Sequence, residues 1–194
     1  MRRAERHEPA LVEAGFDHSL RQQQPVCRVE DDGQTVLVLV QSLDIGGLER
    51  MVVHLCTALK RKVSWDPVVL AYDQRDDSEN LIAELSKRDV AVEAFKKPAR
   101  FSFKVVFKIV RSVFMQHVAV IHCQDLGSLI YAVAAKILCL GQVKIVHTQH
   151  SFIHLDRKKR YQAYERFFTH FVDELVVVSD DTRKTYIDLG FESS

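Results

Sequence analysis

Val36-Leu37-Val38-Leu39-Val40-Gln41-Ser42-Leu43-Asp44-Ile45-Gly46-Gly47-Leu48-Glu49-Arg50-Met51-Val52-Val53-His54-Leu55 decides how the chain is read. It opens with an unbroken apolar run, the pattern of a strand covered on both faces. Gly46 and Gly47 interrupt it. Leu48, Met51, Val52, Leu55 and Leu59 then recur at helical spacing and give one apolar stripe. The stretch therefore predicts a buried strand, a glycine turn and a helix. A strand tip feeding a helix N-terminus offers free N–H groups to an anion or polar ligand. Glycine lets such a ligand approach the backbone with no Cβ in the way. Glu49 falls in the first turn, where the helix dipole favours a carboxylate. Gly-Gly equally serves as a tight turn with nothing bound, and both readings stand at this point. The turn is neither the dinucleotide fingerprint G-x-G-x-x-G nor a Walker A loop, since no G-K-[ST] follows.

The same alternation continues to the end of the chain. Apolar runs predict further strands over about 66–72, 90–95, 118–122, 143–148 and 174–179. Helical spacing fills the segments between them, with Asp77-Ser78-Glu79-Asn80 as the cap of a helix through Lys87 and Gly141 as the stop of another. Six β-then-α units make an α/β fold with a doubly wound parallel sheet, from residue 35 to residue 194. Residues 1–34 mix charges, three successive glutamines and Pro25 with few apolar residues, and are expected to be a flexible leader.

Composition narrows the function classes. The 194 residues suffice for one domain with a substantial core, and 47% apolar content marks a globular chain. A formal net charge of +1 argues against nucleic-acid binding driven by bulk charge. Cys27, Cys56, Cys123 and Cys139 are widely spaced with no C-x-x-C, so neither a zinc site nor a disulfide framework is expected. A reducing, cytoplasmic setting fits best. No apolar stretch approaches the roughly 20 residues of a membrane span.

In doubly wound sheets ligands sit beyond the carboxyl ends of the strands. That rule selects Asp44, Gly46 and Gly47 after the first strand, and Gln124, Asp125 and Ser128 after the fourth. After the fifth it selects His147, Gln149, His150, Ser151 and His154, and after the sixth Ser179, Asp180 and Thr182. His147-Thr148-Gln149-His150-Ser151-Phe152 is the richest of these loops. A neutral imidazole can accept a proton or bond a sugar hydroxyl near physiological pH. Strand alternation puts His147 and Gln149 on one face, Thr148 and His150 on the other. No partner carboxylate is evident nearby, so no metal is expected.

Gly46-Gly47-Leu48-Glu49-Arg50, directly after a first strand, resembles the turn that opens family 4 glycosyltransferases of the GT-B type. His122-Cys123-Gln124-Asp125-Leu126-Gly127-Ser128 resembles that family's fourth-strand loop, and His147 to Phe152 its histidine loop. Val177-Val178-Ser179-Asp180-Asp181-Thr182-Arg183 resembles its Val-Ser-x-x-Thr-Arg segment. The resemblance implies the N-terminal, acceptor-side Rossmann-like half of a GT-B enzyme that transfers a sugar from a nucleotide-sugar with retention of configuration and no bound metal or other cofactor. It places Gly46, Gly47 and Glu49 by the donor and His150 by the transferring sugar. Asp125 and Ser128, with His147 and Ser151, fall on the side of a saccharide or lipid-linked acceptor. The family's second half, which holds the nucleotide, has no counterpart here, so a partner half in cis or in trans is expected and this chain alone is expected to be inactive. A non-catalytic Rossmann-like module that binds a partner chain or a small anion is the competing reading.

Two basic stretches remain. Phe103, Val106, Phe107, Val110 and Phe114 predict the core stripe of a helix whose other face carries Lys104, Lys108 and Arg111. That face is either plainly solvated or adsorbs to an anionic membrane at its inner surface. Arg157-Lys158-Lys159-Arg160 follows the histidine loop, where basic residues oppose the helix dipole; they either hold an anionic or lipid-linked acceptor or are simply a charged helix start.

Overall fold

The apolar run Val36–Val40 lies in the interior of a six-stranded sheet, and all five of its side chains are buried. In this computed structural model the described residues are 34–63, 65–75, 79–150 and 159–188. The chain divides into two units, Met1–Glu30 and Asp31–Ser194, and every described residue belongs to the second. The expected leader thus lies outside the described residues.

The elements are β1 (Thr35–Val40), α1 (Gly47–Ala58), β2 (Asp66–Ala71), α2 (Ile82–Lys87), β3 (Ala91–Ala94) and α3 (Phe103–Met115), then β4 (Val118–Cys123), α4 (Leu126–Leu138), β5 (Lys144–Gln149), α5 (Lys159–Thr169), β6 (Glu174–Val177) and α6 (Asp180–Asp188). All strand pairs are parallel, in the order β3-β2-β1-β4-β5-β6. The register sets Val38 beside Val69 and His122, and Cys123 beside His147.

Alternation along the strands builds one core on each face. Leu37, Leu39, Ile121, Cys123 and Ile145 pack with Val105, Ile109, Leu129 and Ala132 of α3 and α4. Val36, Val38 and Val40 pack with Val52, Val53 and Cys56 of α1 and Leu85 of α2. Each such aliphatic side chain contributes roughly 1.5–3 kcal/mol through removal from water. Cys56, Cys123 and Cys139 are buried free thiols, and burial pushes the Cys56 thiol up to about 12.

The helix α3 corrects the expected stripe. Its buried face is Val105, Val106, Ile109, Ser112 and Val113, whereas Phe103, Phe107 and Phe114 are exposed, Phe103 by 80%. Apolar residues cover more than half of the circumference, with Lys104, Lys108 and Arg111 on the remainder, so spacing alone could not say which part of that arc meets the sheet. Lys104 and Lys108 lie over the ring of Phe95, and Lys108 also pairs with Glu93. Their alkyl stems are thereby held against the loop and strand β3 rather than left free in solvent.

Smaller departures have local causes. The helix α1 ends at Ala58 and closes in a π-helical turn, Leu59–Val63, from which Trp65 donates its N–H back to the Leu59 carbonyl at 3.3 Å. The helix α2 starts at Ile82, and its cap position is Leu81 with no side-chain cap; Asn80 Oδ1 accepts from the Ile82 N–H at 3.2 Å, while Asp77 and Ser78 lie outside the described residues. The strand β6 stops at Val177 because Ser179 turns to serve α6, its Oγ accepting from the Thr182 N–H at 3.1 Å. The helix α4 ends at Leu138, and both Leu140 and Gly141 adopt positive φ (53° and 76°) before β5 begins.

Candidate functional site

The strand order places the topological switch between β1 and β4, where the chain leaves the sheet in opposite directions. Ligands of open α/β sheets bind in that crevice, beyond the strand tips. The loops that flank it are Gln41–Gly46 after β1 and Gln124–Asp125 after β4, and β5 delivers His150 one strand further on.

On the β1 side, Gly46 is the cap of α1 in extended conformation, and its carbonyl accepts from the Arg50 N–H at 3.1 Å. No side chain caps the helix. The Glu49 carboxylate instead folds back against Gly46, in the space a Cβ at that position would need. Gly47 is different, because a Cβ added there would meet nothing within 4 Å. The turn is thus closed on the Gly46 side by Glu49 and open at Gly47. Gln74 holds this loop from the segment after β2, accepting from the Leu43 N–H at 2.7 Å and donating Nε2–H to Asp44 Oδ1 at 2.9 Å. Buried Gln74 escapes a sequence reading because nothing local marks it.

On the β4 side, Asp125 caps α4 with a complete capping box. Its Oδ1 accepts from the Ser128 N–H at 2.6 Å. Ser128 Oγ accepts from the N–H groups of Gln124 and Asp125, both at 3.1 Å, and donates to the Asp125 carbonyl at 2.8 Å. Ser128 is fully buried with its hydroxyl committed to this loop, so it shapes the site rather than facing it. Asp125 keeps its second carboxylate oxygen and stays half-buried. A Cβ on Gly127 would come within 3.0 Å of the Tyr72 hydroxyl, which makes glycine the residue that lets α4 close on β2's tip.

The histidines divide as alternation predicts. His150 is half-buried and its Nε2 lies 2.9 Å from Gln124 Oε1. Burial first, then the neighbouring His147, holds its pKa below the ordinary value, with Asp125 opposing. His122 Nε2 lies 2.7 Å from Thr148 Oγ1, and burial with two nearby imidazoles lowers its pKa to about 4. His147 turns to the opposite face, is 0% exposed, and places Nε2 3.2 Å from Glu165 Oε1, which also accepts from the Tyr186 hydroxyl at 2.6 Å. That position offers no surface to an acceptor, and His147 belongs instead to a buried polar link between β5, α5 and α6. Ser151, His154 and the basic residues Arg157 and Lys158 lie outside the described residues.

A cleft of ≈ 560 Å³ opens beside the crevice, over the tips of β1, β2 and β3. Gln41 and Asp44, Asp73 and Arg75, and Lys96 and Lys97 line it. The strand-tip rule selects these loops as readily as the others, but polar residues after the second and third strands stood in no histidine- or glycine-rich motif. Among the described residues no group of three or more His, Cys, Asp or Glu is placed to hold a metal ion.

A family model described as Glycosyltransferase Family 4 matches residues 45–194. No curated protein matches the chain. Among solved structures it is similar to Anabaena HepE in complex with UDP and glucose, with a TM-score of 0.63 and 15% identity over 81% of this chain and 41% of that one. It is similar to sucrose-phosphate synthase from Thermosynechococcus elongatus, with a TM-score of 0.58 and 16% identity over 83% and 46% of the two chains. It is also similar to the apo form of the lipopolysaccharide outer core galactosyltransferase WaaB, with a TM-score of 0.57 and 14% identity over 82% and 43%. At such identities the likeness is one of fold, and the chain spans less than half the length of each of these proteins.

Proposed function

This chain belongs to glycosyltransferase family 4, and we propose that it forms the acceptor-side half of a retaining GT-B enzyme that moves a sugar from a nucleotide-sugar to a saccharide or lipid-linked acceptor. The observation that carries the proposal is that three loops leave neighbouring strands at the same edge of the sheet. Gly46–Gly47, Gln124–Asp125 and His150 leave β1, β4 and β5, successive strands in the sheet, and the family match begins at the first of them. HepE was solved with UDP and glucose, which supports a nucleotide-sugar as donor here.

The chemistry follows from the groups present. The open face of Gly47 admits a ligand to the N-terminus of α1, whose N–H groups favour negative charge. His150 is kept neutral near pH 7 by its surroundings, so it can bond a sugar hydroxyl as positive charge develops at the anomeric carbon. Asp125 stands beside it on the acceptor side with one carboxylate oxygen outside the cap. The leaving diphosphate requires a basic donor-binding half, supplied in cis or in trans. No cofactor beyond the nucleotide-sugar enters this reading.

The same reading locates the protein at the cytoplasmic face of a membrane. The helix α3 has no acidic residue and exposes Phe103, Phe107 and Arg111, with Lys104 and Lys108 beside them although both reach over Phe95 and Lys108 pairs with Glu93. Aromatic anchors fringed by cations suit an anionic lipid surface. No helix among the described residues is long and apolar enough to cross a membrane.

The test is transfer of labelled sugar from a nucleotide-sugar panel to saccharide and lipid-linked acceptors, by the chain alone and with a donor-binding half added. Transfer with retained anomeric configuration only in the second case supports the proposal. Inverted product, or full turnover by the chain alone, contradicts it. Binding of a partner chain with no transfer under any condition would favour a non-catalytic module.

A further inference from the structure

The carboxamide of Gln124 has a strange position for a polar group. It is completely buried, and its Nε2 has no hydrogen-bond partner among the described residues. An orphaned buried donor costs about 1–3 kcal/mol, and an apolar side chain of similar size would avoid that cost. Gln124 is not there for packing alone. Its Oε1 makes one side-chain contact, to His150 Nε2 at 2.9 Å. Its backbone is fixed as firmly as any in the loop, with its N–H on Ser128 Oγ and the α4 capping box closing immediately after it.

We propose that Gln124 is the positioning residue of the site: its buried Oε1 takes the Nε2–H of His150, so that Nδ1 is the ring's free acceptor. A carboxamide oxygen can only accept, so the contact selects the Nε2–H tautomer as well as the ring plane. The pair His122–Thr148 likewise joins β4 to β5, two residues back along each strand. The titratable groups near enough to act on His150 are Asp125 from the α4 cap, His122 on β4 and, from the opposite face of β5, His147, whose own partner is Glu165 of α5. Of these only Asp125 favours the imidazolium directly, and Gln124 adds no charge. The inference rests on His150 being the sugar-facing side chain.

The test has two arms. In the first, the imidazole of His150 is followed by NMR in this chain, where no transfer is needed. The wild type should show a protected Nε2–H and a titration below the ordinary histidine range. Gln124→Glu should raise the His150 pKa by about one unit or more, because a carboxylate then holds the imidazolium. Gln124→Leu should abolish the protected proton while leaving the thermal midpoint unchanged or higher. An unmoved His150 signature in both variants overturns the assignment, whatever their stability. In the second arm, Gln124→Leu in the protein joined to its donor half should lower kcat about tenfold with KM within about twofold. A KM effect alone, with kcat unchanged, overturns the positioning role. If His150→Ala itself leaves turnover intact, the reading of His150 fails while the first arm still stands.

Discussion

Glu165→Ala should be among the most damaging single changes among the described residues, although Glu165 lies on α5, outside the strand-tip loops. Its Oε1 accepts from the Tyr186 hydroxyl at 2.6 Å and from His147 Nε2 at 3.2 Å, and both Glu165 and His147 are 0% exposed. Truncation removes one acceptor from two buried donors at once. Loss of its acceptor costs a buried donor about 1–3 kcal/mol, and breaking a buried pair by deleting one member typically costs about 3–5 kcal/mol. Relief of desolvation of the lost carboxylate offsets part of this, so about 3 kcal/mol is expected. For a domain of this size that is a fall of roughly 6–12 °C in thermal midpoint. Tyr186→Phe alone should cost about 1.5 kcal/mol. The double variant should fall short of the sum by about 1 kcal/mol, since the two share one bond. Urea denaturation of the four proteins completes the cycle. A Glu165→Ala loss below about 1 kcal/mol, or strict additivity, would refute the claim that this link ties α5 and α6 to β5.

The remaining predictions concern pH, the α4 cap and α3. His122 has a folded pKa of about 4 against an ordinary 6.5, so the unfolded chain binds the extra proton first as pH falls. Its contribution is therefore whole above pH 6.5 and drains away down to about pH 4, with about 2 kcal/mol lost by pH 5; His122→Asn should flatten that slope in urea midpoints measured at pH 7 and pH 5. Asp125→Ala should cost about 1 kcal/mol through loss of the cap, while Asp125→Asn should cost almost nothing in stability, so that any loss of acceptor binding in the asparagine variant reports on the free carboxylate oxygen. Vesicles containing anionic lipid should retain the chain in flotation at low salt and release it at high salt, and Phe103→Ser with Phe107→Ser should abolish retention; equal retention on neutral vesicles would leave α3 as an ordinary exposed helix.

Much of the architecture was legible because its signals are periodic. The continuous apolar runs at 36–40 and 118–121 belong to interior strands covered on both faces, which is why they read as strands without alternation. The two faces of β5 were equally legible: His147 and His150 go to opposite sides, as a period of two requires. The strand order was not, since parallel strands look alike in sequence, and the adjacency of β1 to β4 is what sets the loops that follow them on neighbouring strand ends. The core face of α3 failed because its apolar arc is wider than the face the sheet covers, so spacing marks the arc but not which part of it is buried. Long-range pairings failed for a different reason. Gln74 with Asp44, Gln124 with His150 and Glu165 with His147 join residues 18 to 30 positions apart, and a glutamine or glutamate in a strand tip or helix has no local pattern that announces its partner.

The central claim, that His150 faces the transferring sugar at the β1–β4–β5 edge, meets its most direct test in one comparison. Sugar transfer from the nucleotide-sugar by the chain joined to its donor half should be measured for the wild type and for His150→Ala. The account predicts a fall in turnover of roughly 10² or more with the thermal midpoint preserved, as for loss of a preorganised group at developing charge. Near-normal turnover by His150→Ala would contradict it, leaving the fold and the family intact but the site misplaced.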